Sequence, residues 1–114
     1  MRYKSFHDRL INSVLGPAGQ TPESLRRAVL ERGKRPGASA EAIPDELTHY
    51  VDTVAQHAYK VTDADIAKLK QAGHSDDALF EITVVAAVGA AMHRLERGLA
   101  ALEGREPPPP PRPD

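Results

Sequence analysis

Ile82-Thr83-Val84-Val85-Ala86-Ala87-Val88-Gly89-Ala90-Ala91-Met92 is the stretch that decides the fold. It is apolar around most of a helical circumference, whereas a helix lying on a monomer's surface shows polar residues at every turn. Its alanines and Gly89 let other backbones come close. The run has 11 residues, and a bilayer span needs roughly 20, so it reads as a buried core helix. A chain of 114 residues has few helices with which to enclose it. Copies of the same chain are therefore expected to complete the enclosure, and a homo-oligomer follows. Ser75-Asp76-Asp77 supplies a cap and acidic first-turn residues for this helix, which is predicted over Asp76 to Leu102. Beyond Arg94, Leu95, Leu99 and Leu102 mark one apolar face.

Working toward the N-terminus, the same grammar repeats. Thr62-Asp63-Ala64-Asp65 opens a helix that Gly73 closes, with Ile66 and Leu69 pointing inward. Pro44 opens another, predicted to reach Val61. There Leu47, Val51, Val54, Ala58 and Val61 form a buried stripe, flanked by Tyr50 and His57. Glu46, His49, Thr53, Gln56 and Lys60 fall on its polar side. Residues 33 to 42 read as a connector. Thr21-Pro22-Glu23 starts a helix with Thr21 as cap, ended by Gly33. The first helix is predicted over Tyr3 to Leu15, stopped by Gly16-Pro17. No window alternates with period two, so the fold class is all-α, about five helices in one domain over residues 1 to 103. Residues 104 to 114, GREPPPPPRPD, form a proline-rich tail that favours polyproline II.

Composition narrows the chemistry. There is no cysteine, which excludes a disulfide framework, a thiolate metal site and a nucleophilic thiol. Aromatic residues make up 4% and the formal charge is −1, so the core is aliphatic and coating nucleic acid is not the main task. Residues 1 to 35 carry 8 basic and 3 acidic side chains, and the other 79 carry 7 and 13. Arg26, Arg27, Arg32, Lys34 and Arg35 form the basic cluster. No aromatic stacking platform accompanies it, which argues against nucleic acid as a partner. The N-terminus has no apolar stretch of signal-peptide length, and the chain is expected in the cytoplasm without a membrane anchor.

Two side chains are candidates for acid–base work. His57 beside the buried stripe could act as a general base near neutral pH. Glu81, at the mouth of the apolar helix, is expected to be partly desolvated with a raised pKa, or else paired with an arginine such as Arg94 of another subunit. Tyr50 and Val54 would line the associated pocket. Glu46-Leu47-Thr48-His49 has the Glu-x-x-His spacing of di-iron bundles, but the second copy such a site needs would have to come from a symmetry-related subunit, and the motif falls on the predicted solvent side. His74 and His93 have no histidine at zinc-site spacing. No metal or other cofactor is expected. Gly16-Pro17-Ala18-Gly19 is too short for a phosphate loop.

Residues 58 to 102, AYKVTDADIAKLKQAGHSDDALFEITVVAAVGAAMHRLERGLAAL, resemble the carboxymuconolactone decarboxylase and AhpD-like alkylhydroperoxidase superfamily. The matching features run in order: VTDADIAKL, AGHSDD, a glutamate opening an alanine-rich helix, and Arg94-Leu95. The resemblance implies an all-helical AhpD-like bundle assembled as trimers or hexamers. The family's peroxidases use a Cys-x-x-Cys pair, a histidine and a proton-relaying glutamate. Without cysteine that disulfide cycle cannot run. Residues 1 to 57 do not match the catalytic half. Two readings follow: acid–base chemistry on a small organic acid or lactone bound near His57, Tyr50 and Glu81, or a non-catalytic oligomeric scaffold or binding module.

Overall fold

Side-chain caps set where two of the helices begin. In the computed structural model, which describes residues 4–16 and 19–104, the order is α1 (Lys4–Leu15), α2 (Glu23–Lys34), α3 (Asp45–His57), a 3₁₀ turn (Ala58–Lys60), α4 (Asp63–Gln71) and α5 (Asp76–Leu102). Thr62 and Asp65 form a reciprocal capping box at the start of α4: the Asp65 amide donates to Thr62 Oγ1 and the Thr62 amide donates to Asp65 Oδ2. Ser75 Oγ accepts from the Ala78 amide at the start of α5, 3.1 Å away. Between them Gly73, with φ +103°, ends α4 in a Schellman arrangement. Its amide donates to Lys70 O and the His74 amide to Leu69 O. All regular elements among the described residues are helical. The expected proline-rich tail and the start of α1 at Tyr3 lie outside those residues.

Helix α5 is the central element. It packs most extensively on α2 and next on α3, while α1 meets both α2 and α5 and α4 rests on α3. The core joins Val29 and Leu30 of α2, Leu47, Tyr50, Val51 and Val54 of α3, Leu69 of α4, and Leu79, Ile82, Val85 and Ala86 of α5. These are mostly aliphatic side chains, as the shortage of rings requires. The most apolar 18-residue window of α5 has a mean hydropathy of 1.5, enough by length and composition to cross a membrane. Here one side of the helix, from Leu79 to Met92, fills the core of the bundle.

Several boundaries differ from the sequence reading. Gly33 does not end α2; the helix continues to Lys34, and Gly33 packs backbone to backbone on Gly89 of α5. A Cβ on Gly89 would lie 2.6 Å from Leu30 O, and one on Gly33 would lie 2.8 Å from Ala86 O. Both glycines are therefore needed for close helix approach. Helix α3 stops at His57, not Val61. His57 leaves helical geometry at φ −147°, ψ 55°, and a 3₁₀ turn tightens the exit. Ala58 is consequently exposed and Val61 half-buried, and the inner face of α3 instead uses Tyr50 and Ala55. Thr21 does not cap α2, whose N-cap is Pro22 with no side-chain hydrogen bond. Leu102 is 80% exposed and leaves the face that Leu99 buries.

Candidate functional site

Glu81 projects from the first third of α5 toward the connector between α1 and α2. Its carboxylate is held by the chain itself. Thr21 donates to Oε1 through its amide at 3.1 Å and its hydroxyl at 2.9 Å, and the Gln20 amide donates to Oε2. Arg26 stands on the other side of Gly19. A Cβ on Gly19 would fall 2.8 Å from both Arg26 Cζ and Glu81 Oε1, so the two side chains close tightly on this glycine. Arg26 is 4% exposed. Its Nη1 donates to Val14 O at 3.1 Å and Gly16 O at 2.5 Å, and its Nε is buried without a partner. These contacts satisfy the carbonyl end of α1, which otherwise lacks partners. Together they fasten α1, its connector and α2 to α5.

Burial pushes the Glu81 carboxyl up, but the Gln20 and Thr21 donors and the Arg26 charge outweigh it, and the pKa settles below the ordinary 4.5. The expected raised pKa is thereby corrected. A carboxylate clasped by donors is favoured in its charged form, so it is poorly placed to give up a proton near neutral pH. The partner that holds it is the connector of its own chain, close to Arg26, and not Arg94.

A cleft of about 380 Å³ opens beside this clasp, lined by Ser13, Val14, Gly16, Gly19, Arg26, Phe80, Glu81, Val84 and Val85. None of the other candidate residues reaches it. His57 is exposed at the end of α3, its ring edge-on to Tyr59 at 6.0 Å. Val54 is buried in the core. Tyr50 lines a second cleft of about 340 Å³ between α3 and α4, with Glu46, His49, Thr53, Asp65, Lys68 and Leu69. Its hydroxyl donates to Thr83 Oγ1 at 2.6 Å, and Thr83 in turn donates to Leu79 O at 2.7 Å. The chain thus does not gather His57, Tyr50 and Glu81 about one cavity.

Glu46 of the Glu-x-x-His motif meets His74 Nε2 at 3.0 Å, and its own backbone amide and then His74 hold its carboxyl below the ordinary range. Among the described residues, no group of three or more His, Asp or Glu side chains could hold a metal ion. The basic cluster is also dispersed. Arg26 is buried, and Arg32 grips both oxygens of Asp52 at 2.8 Å. Arg27 pairs with Glu23, Arg35 with Glu31 and Lys34 with Glu96.

Arg26 is the residue that sequence reasoning misplaced. Its signal was its position one turn before Val29 and Leu30, on the inward face of α2. The spacing also did not say which face of α5 a single chain leaves open. Phe80 is 70% exposed, and Val84, Ala87 and Ala91 continue the same line along the helix, all exposed. Against this geometry, no protein-family model, curated protein or solved structure matches the chain.

Proposed function

We propose that the chain is a non-catalytic, homo-oligomeric scaffold or binding module, a cysteine-less relative of the AhpD-like helical bundles. The observation that carries this reading is the exposed apolar line Phe80, Val84, Ala87 and Ala91 on the central helix. Single exposed apolar residues are ordinary, but four in register along one helix face favour association. The acid–base alternative has less support. Glu81 is engaged by three donors and its proton affinity is lowered, while His57 is exposed and away from that cleft.

Sedimentation equilibrium of the full chain tests the reading. An oligomer at micromolar concentration, weakened by Ala87→Glu with helix content unchanged, is the expected result. A well-folded wild-type monomer at that concentration would overturn it.

A further inference from the structure

Asp77, Phe80, Val84, Ala87, Ala91 and Arg94 lie on α5 at spacings of three, four, three, four and three, and all six are exposed. That alternation is the 3.5-residue repeat of a helix–helix seam. The line is apolar in the middle, acidic at one end and basic at the other. Neither Asp77 nor Arg94 has an ion-pair partner among the described residues.

From this arrangement we infer that a second copy of the chain docks on α5 antiparallel, about a two-fold axis passing between Val85 and Ala86. The inference rests on the oligomeric reading above and adds the register. In that register Asp77 faces Arg94 of the second copy, Phe80 faces Ala91, and Val84 faces Ala87. Each large side chain meets a small one, so the helices approach closely without collision. Each unpaired charge meets its opposite. Because the contact is isologous, every pairing occurs twice. A parallel pairing would instead set Asp77 on Asp77, Phe80 on Phe80 and Arg94 on Arg94, with like charges at both ends.

A charge-exchange series on the full chain tests the register. Asp77→Arg or Arg94→Asp alone places like charges at both ends of the seam and is expected to raise the dimer dissociation constant about tenfold at low salt. The double variant Asp77→Arg/Arg94→Asp restores opposite charges and is expected to return to within about threefold of wild type. The two positions are separated by about 25 Å of helix within one chain, so pairing inside the chain cannot produce the rescue. Because Asp77 also sits in the first turn of α5, thermal unfolding of each variant checks that the fold persists.

Cross-linking gives a second readout in this cysteine-free chain. Phe80→Cys/Ala91→Cys is expected to oxidise to a covalent dimer, and either single variant is not. A wild-type oligomer whose double charge variant stays as weak as the singles refutes the register and leaves the oligomeric reading standing. So do single cysteines that cross-link as well as the pair. A wild-type monomer refutes both.

Discussion

Replacing Gly89 with alanine adds one methyl group where α5 meets α2, and the structure fixes the sign of the result. The new Cβ would sit 2.6 Å from Leu30 O, 3.0 Å from Gly33 Cα and 3.1 Å from Lys34 N. Ordinary contact begins at 3.4 Å, so the helices must part by most of an ångström. All three neighbours are backbone atoms and cannot rotate aside. Overpacking of this kind costs about 1–3 kcal/mol, and the gain in helix propensity from glycine to alanine returns about 1 kcal/mol. Because three backbone atoms are met at once, the upper half of that range applies, so a net loss of about 1–2 kcal/mol is expected, a drop in Tm of roughly 4–15 °C for a domain of this size. Gly98 on the same helix is the control, because a Cβ there meets nothing within 4 Å. Gly98→Ala receives the propensity term alone and is expected to raise Tm by several degrees. Thermal unfolding followed by far-UV circular dichroism, at one fixed protein concentration because assembly shifts Tm, reads both. Because one parting of the helices relieves both sites, Gly33→Ala/Gly89→Ala should cost less than the sum of its singles. If Gly89→Ala stabilises the chain as Gly98→Ala does, the backbone contact between α2 and α5 is refuted.

The remaining predictions concern the polar ties. Glu81 has a folded pKa below its unfolded value, so its stabilisation is present above the ordinary carboxylate range and lost as pH falls through the lowered value. Glu81→Gln is expected to cost about 2 kcal/mol at neutral pH, and the gap to wild type in denaturant titrations should shrink below about pH 4; a gap that is constant with pH contradicts the clasp. Arg32→Ala removes the two-oxygen grip on Asp52 that joins α2 to α3, with an expected loss of about 1–2 kcal/mol. Arg32→Lys should recover only part of this in the same urea titration, since an ammonium cannot match the fork. Tyr50→Phe keeps the buried ring but removes the donor to Thr83, and a loss near 1 kcal/mol is expected. No change in the urea midpoint would show that bond to be idle.

Much of the fold was legible because its signals are local. The Thr62 cap, the Ser75 cap and the Gly73 terminator act within a few residues of themselves, and each lies where the sequence placed it. Gly33 was misread because a glycine after an apolar helix is also a stop signal. Only Gly89, far along the chain, reveals that it is a packing position. The end of α3 was overshot because Ala58 and Val61 continue the apolar spacing, although the chain has already turned at His57.

The candidate site was legible in part. Glu81 lines a cleft, and burial adds a desolvation cost to its carboxylate. The direction of its pKa was decided by Gln20, Thr21 and Arg26, which lie about sixty residues away in sequence. His57 became the last residue of α3 and is exposed.

The sequence by itself determined the helical class, the starts of α4 and α5 and the aliphatic core, because propensity, capping and apolar spacing are properties of neighbouring residues. The tertiary structure alone decided which residues meet. It made Arg26 a buried clamp, turned Glu81 from a candidate acid into a tether, and selected which face of α5 a single chain leaves open. Those outcomes depend on how helices cross and which donors their crossing delivers, which spacing along one chain does not encode.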